Sequence, residues 1–221
     1  MSFNHTYSPS KSAQSVLETN KVLRNTYMLL GMTLLFSAVT AGISMMMELP
    51  RIMGLVLSLA GLGVLFVVNK KADSAAGLPW VFVFTGIMGA ALGPMLNHYA
   101  GLQNGPELIM QALGATALVF FGLSAYAMTT KKDFSFLGGF LFIGLLVVIV
   151  ASIVNIFIGS SIAFMAINAA VVFIMSGLIL FDTSRIINGG ETNYIRATVS
   201  LYLNVYNLFT SILALLGANN D

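Results

Sequence analysis

The chain has 221 residues, 57% of them hydrophobic and only 8% charged, with a net charge of +2 and a mean hydropathy of +0.90. A soluble domain carries about 25% charged residues, so water-soluble fold classes are excluded, and the near-balanced charge leaves no basic patch for nucleic acid. The absence of cysteine excludes disulfides, thiolate metal sites and cysteine nucleophiles.

Residues 1–25 hold Ser, Asn, Thr and Lys but no apolar core of a cleavable signal, which predicts a flexible tail ahead of the first span. The spans that follow can be counted from the punctuation between them. The first, 26–47, is uncharged throughout, and Leu49-Pro50-Arg51 closes it. The second, 52–68, is near the lower limit of about 17 residues for a crossing and ends at Asn69-Lys70-Lys71-Ala72-Asp73. The third, 78–96, starts with Pro79 and Trp80 and has Pro94 near its end, where it either kinks the helix or stops it. The fourth, 107–128, ends at Lys131-Lys132-Asp133. The apolar run 134–181 is too long for one crossing, and Gly159-Ser160-Ser161 is the turn signal that divides it into spans 134–158 and 162–187. The seventh, 195–216, is entered through Asn188-Gly189-Gly190-Glu191-Thr192-Asn193. The pattern predicts an all-α polytopic membrane protein: one seven-helix domain over 26–217 and a short terminus at 218–221.

Orientation follows from the basic residues. An interior N-terminus places Lys11, Lys21, Arg24, Lys70, Lys71, Lys131, Lys132, Arg185 and Arg196 on the cytoplasmic side, leaving Arg51 alone on the other. An odd number of spans then puts the C-terminus in the periplasm.

Small residues mark where helices approach in lipid. Gly86, Gly89, Ala90 and Gly93 line one side of the third span; Gly138, Gly139 and Gly144 fall on the fifth, and Gly31, Ala38 and Gly42 on the first. Polar chemistry concentrates in the last two spans. Asp182 is the one acid embedded in an apolar run, with Arg185 one turn on. It reads either as an interfacial acid paired with a neighbouring arginine or as a gating or ion-contact group. In the seventh span Arg196, Ser200, Asn204, Asn207 and Ser211 share a helical face, which predicts a stripe toward the bundle interior that holds helices together or lines a polar path. Asn155 and Asn168 are expected to satisfy each other or nearby carbonyls. Catalysis is disfavoured: His5 and His98 cannot form an HExxH zinc site, Ser124 has no histidine at its depth, and Asp182 has no embedded partner acid. No cofactor is expected.

Three segments resemble a known signature: Phe181-Asp182-Thr183, Gly190-Glu191-Thr192-Asn193-Tyr194-Ile195, and the run from Ser200 through Asn204, Tyr206 and Asn207 to Phe209. Together with Lys21-Val22-Leu23-Arg24-Asn25-Thr26-Tyr27, Leu92-Gly93-Pro94-Met95-Leu96-Asn97 and Lys131-Lys132-Asp133-Phe134-Ser135-Phe136-Leu137-Gly138-Gly139, they make the whole chain similar to the Bax inhibitor (TMBIM) family, in detail to its bacterial inner-membrane members. The resemblance implies two functions of different kinds. Bacterial inner-membrane members are partners and substrates of the membrane AAA protease FtsH and modulate turnover of other membrane proteins. Ser2, Phe3, Asn4, His5, Thr6 and Tyr7 would then be the accessible end for the protease. Other members are pH-sensitive calcium leak channels, in which aspartates on spans six and seven share a proton and latch the pore. Asp182 matches the first of those positions, but the second holds Asn204, which cannot ionise. The basic residue expected from span two has only Asn69 and Lys70 as candidates. The departure favours the protease modulator, while Asp182 with Arg185 or Arg196 stays open as a different latch.

Overall fold

The computed structural model describes residues 11–218, all helix and connection, with seven helices long and apolar enough to cross a membrane. They are α1 (Lys11–Met46), α2 (Arg51–Lys71), α3 (Gly77–Ala100), α4 (Gly105–Thr130), α5 (Gly138–Ile158), α6 (Ser161–Ile187) and α7 (Tyr194–Gly217); a short 3-10 helix, Ser135–Leu137, leads into α5. The all-α, multi-pass reading of the sequence is what the chain adopts.

One boundary departs from expectation. α1 starts at Lys11, so residues 11–25, expected as flexible tail, are helical. The stretch contains neither Gly nor Pro, and a helix already nucleated in the apolar span adds a backbone hydrogen bond for each residue it gains. At about 1.5 Å per residue the 36 residues of α1 reach roughly 54 Å, longer than an acyl core of about 30 Å.

α7 is the central helix. It packs against α6, α4, α1 and α3, while α2 leans mainly on α3 and α5 on α6. Leu201, Leu208 and Leu213 of α7 are fully buried. Tyr202 meets Phe84 of α3 edge-on at 5.6 Å, and its hydroxyl shares a 2.7 Å hydrogen bond with Ser37 of α1. Between α1 and α3 the seam is made of small side chains: a Cβ on Gly89 would overlap Thr40 Oγ1 and the Ser37 carbonyl, and one on Gly93 would overlap Ser44. Gly138 and Gly144 likewise sit against Phe181 and Ile174 of α6. The expectation fails at Gly139 of α5, which has no neighbour within 4 Å of an added Cβ, and on α1, where the same holds for Gly31 and Gly42. Those two glycines border an apolar cavity of about 530 Å³ between α1, α4 and α7 instead.

Pro94 neither ends α3 nor leaves a gap in it, since the helix runs on to Ala100. Proline has no N–H for the carbonyl four residues back. Here that carbonyl, Ala90 O, accepts a 2.7 Å hydrogen bond from Ser44 Oγ of α1. Ser44 of α1 thus supplies the donor that the proline lacks, and one turn further Asn97 Nδ2 of α3 donates back to Met45 O at 3.0 Å. The α5–α6 hairpin turns at Gly159, whose φ of +68° is in the region glycine favours, and Ser160 Oγ caps α6 by accepting from Ala163 N at 3.2 Å. Asn155 and Asn168 do not meet: Asn155 Oδ1 accepts from Ser160 N, and Asn168 Nδ2 donates to Phe164 O of its own helix.

Candidate functional site

The polar residues singled out at the end of α6 and the start of α7 gather at the end of the bundle that carries Lys70, Lys71, Lys131 and Lys132. Asp182 lies five residues before the end of α6, about 8 Å along its axis. Its carboxylate accepts a hydrogen bond from Asn204 Nδ2 of α7 at 2.8 Å. Asn204 is only 6% exposed, so the amide is committed to this contact rather than to water.

The arginines expected beside Asp182 are engaged elsewhere. Arg185 lies over the Phe181 ring at 5.5 Å, reaches Glu191 at 3.8 Å, and donates to Gly190 O at 3.3 Å. Arg196 pairs with Asp73 of the α2–α3 connection at 2.5 Å. The physical reason is the turn after Ile187. Gly189 takes φ +74° and Gly190 N bonds back to Arg185 O at 2.8 Å, which folds Glu191 over Arg185. Arg196, in the first turn of α7, faces the neighbouring loop rather than α6. Among the described residues Asn69 and Lys70 make no hydrogen bond to Asp182 either.

The seventh-span stripe divides by depth. Arg196 is on Asp73 and Asn204 on Asp182, but Ser200 is exposed, Asn207 Nδ2 donates to Leu203 O of its own helix at 2.8 Å, and Ser211 is buried. A common helical phase puts the five on one side. Whether each is covered depends on which helix lies opposite at that level, so the stripe is not a continuous polar line.

Sequence reasoning missed the residues that bind the loops of this end together. Ser184 Oγ donates to Lys132 O at 3.0 Å and accepts from Phe134 N at 3.0 Å, fastening the α4–α5 connection to α6. Asn188 Nδ2 adds a 3.2 Å bond to the same oxygen. Asn193 caps α7 by accepting from the Ile195 and Arg196 N–H groups at 2.9 and 3.1 Å, while its Nδ2 donates to Ala72 O and Asp73, each at 2.9 Å. Beside Asp182, Thr183 Oγ1 shares a 3.1 Å hydrogen bond with Tyr27 OH of α1. An Asn immediately before an apolar-periodic segment was a legible N-cap signal; the cross-loop bonds of Ser184 and Asn193 had no local signal at all. Outside the membrane span, Asp133 accepts from Ser135 Oγ and N at 2.5 and 2.9 Å, and these two bonds hold its carboxyl below the usual carboxylate range.

Chemically this arrangement is a fastening. One intramembrane carboxylate faces a neutral amide, and neither Asp182 nor Asn204 forms part of the wall of the apolar cavity between α1, α4 and α7. The tail candidates Ser2, Phe3, Asn4, His5, Thr6 and Tyr7 lie outside the described residues.

The family model described as "Inhibitor of apoptosis-promoting Bax1" matches residues 19–221. A membrane protein of Vibrio cholerae is 56% identical over 216 residues, covering 97% of each chain. The Escherichia coli K12 protein named "Modulator of FtsH protease YccA" is 52% identical over 211 residues, 95% of each chain. A Pseudomonas aeruginosa protein is 49% identical over 200 residues, 90% of each.

Proposed function

Because the chain belongs to the Bax inhibitor family, we propose that it is a non-enzymatic modulator of the FtsH protease in a bacterial inner membrane, and that it is engaged by that protease as a substrate would be. The name of its Escherichia coli relative points to this partner. The observation that carries the reading over a leak channel is the 2.8 Å bond from Asn204 to Asp182. A latch made of two carboxylates sharing a proton needs two acids, and here the second position is an amide that stays neutral at every pH.

The mechanism we infer begins with orientation. Nine of the ten basic residues belong to one end, which we place in the cytoplasm with the N-terminus. A protease that unfolds its substrates from a cytoplasmic end takes hold of residues ahead of α1, with Ser2 to Tyr7 the segment offered. To draw α1 out it must break the seams with α3 and α7. The loops at the same end are cross-tied through Ser184, Asn193 and the Arg196–Asp73 pair, so the bundle yields slowly. A substrate that is gripped and released slowly occupies the enzyme and spares others. The lipid bilayer is the second partner. Calcium or protons become partners only under the leak-channel reading.

The test is isolation of the full chain at its native level from its own membranes, with associated proteins identified by mass spectrometry, and reconstitution with FtsH and a second membrane substrate. Co-isolation and slower degradation of the second substrate are expected. Removal of residues 2–10, which precede α1, should lengthen the chain's own pulse-chase half-life. Absence of both co-isolation and inhibition overturns the modulator. An acid-modulated calcium flux in proteoliposomes that Asp182→Asn abolishes would put the leak channel in its place.

A further inference from the structure

At the end of the bundle opposite the lysines, Arg51 is the single Lys or Arg of the sequence. Its guanidinium lies 2.7 Å from His98 Nδ1 near the C-terminal end of α3. Arginine has only donors, so His98 Nδ1 is the acceptor in this contact and the arginine keeps its positive charge. The ion pairs among the described residues, Arg185–Glu191 and Arg196–Asp73, do not include it. Arg51 is also the first residue of α2, where no side chain caps the free N–H groups and the helix dipole adds positive potential. The exposed guanidinium and the uncapped start of α2 are therefore two cationic features of one connection, which also carries Glu48.

The same pair lies on the wall of a cavity of about 340 Å³ between α2 and α3, which Leu55, Ser58, Leu92 and Met95 also line. Leu55 is 56% exposed on the outward face of α2, next to Ile52 and Leu59, so the cavity wall continues onto surface that lies against acyl chains. A free phosphate would satisfy the arginine and leave the apolar wall uncovered.

We propose that Arg51 and His98 form a binding site for the phosphodiester of an anionic phospholipid in the leaflet at that end, with the first methylenes of one acyl chain against Leu55, Leu92 and Met95. The guanidinium fork can present two parallel N–H groups to a phosphate, and the contact of one terminal nitrogen with His98 holds the side chain in place. A headgroup without an ammonium is preferred because the arginine would repel one.

The experiment is native mass spectrometry of the purified full chain titrated with phosphatidylglycerol, with phosphatidylcholine and inorganic phosphate as competitors. Wild type should hold one phosphatidylglycerol through detergent exchange and release it to neither competitor. Arg51→Gln should weaken that binding about fivefold, the effect of one cation near a lipid surface, whereas Lys131→Gln at the opposite end should not change it. If Arg51→Gln does not fold, Arg51→Lys, which keeps the charge and loses the fork, should give a smaller loss of the same sign. Equal losses from Arg51→Gln and Lys131→Gln would show general charge attraction and overturn the site. Displacement by inorganic phosphate would reassign it to a free anion, and unchanged binding in both arginine variants would remove it.

Discussion

Replacing Asn204 by Ala separates what the Asp182 contact does from what the charge of Asp182 does. The substitution leaves the carboxylate in the α6–α7 seam without its donor, at a position where Asn204 is 6% exposed and water has little access. A hydrogen bond to a charged group contributes about 1.5–3 kcal/mol in soluble proteins, but polar contacts between membrane helices average about 0.6 kcal/mol. A loss of about 1–2 kcal/mol follows for Asn204→Ala. At about 2–4 °C per kcal/mol for a chain of this size, the thermal midpoint in detergent should fall by roughly 2–8 °C. Asp182→Asn should cost less, about 0.5 kcal/mol, because an amide oxygen still accepts from Asn204 and no charge remains to be satisfied. Asn204→Asp places two carboxylates where 2.8 Å now separates donor and acceptor; they cannot both be ionised, so that variant should be more stable in acid than at neutral pH. An unchanged midpoint in Asn204→Ala, or a larger loss in Asp182→Asn than in Asn204→Ala, would refute the assignment of this pair as a fastening.

The cross-tied end gives an ordered pair of effects: Asn193→Ala removes a helix cap and two cross-loop bonds and should cost about 1–2 kcal/mol, while Arg196→Gln, which breaks a solvent-exposed ion pair, should cost under about 1 kcal/mol; denaturation midpoints of the two would check the order. Gly89→Leu should prevent assembly of α1 on α3, seen as loss of the folded species in size-exclusion chromatography, whereas Gly42→Ala at an open position should be neutral. The bonds that depress Asp133 stabilise its turn above the ordinary aspartate range, near pH 3.9, and that contribution disappears as pH falls through the folded-state value, so the protection factors of the amides at Phe134 to Leu137, taken against the intrinsic exchange rate at each pH, should fall in acid. A phosphatase fused after Asp221 should be active and a fluorophore at the same place dark if the lysine-rich end is cytoplasmic; the reverse pattern would invert the orientation.

The number and order of helices were legible because in lipid the signal is one-dimensional: length and apolarity without charge are enough. The α1–α3 seam was half legible. Glycines on α3 announce close approach, but a glycine cannot say whether a neighbour is present, and Gly31 and Gly42 border open space while Gly89 does not. The ion pairs were not legible. Arg185 and Arg196 are near Asp182 in sequence and on plausible helical faces, yet their partners are set by Gly189, which turns Glu191 back onto Arg185, and by the α2–α3 loop, which brings Asp73 to α7 from 123 residues away. Contacts across loops depend on the whole assembly, and no local pattern encodes them.

That difference bears on what the signature segments are for in this chain. Thr183 bonds Tyr27 of α1, Glu191 holds Arg185, Asn193 caps α7 and grips the α2–α3 loop, and Asn204 grips Asp182. Each has a structural partner, and four of the seven helices meet through them. A signature whose residues are consumed in fastening one end of a bundle makes that end hard to pull apart. The same residues that led to the family therefore argue, through their bonds, for slow mechanical yielding. An opening pore would need Asp182 to exchange partners as its protonation changes, and the amide of Asn204, a donor to either form of the carboxyl, offers little drive for such an exchange.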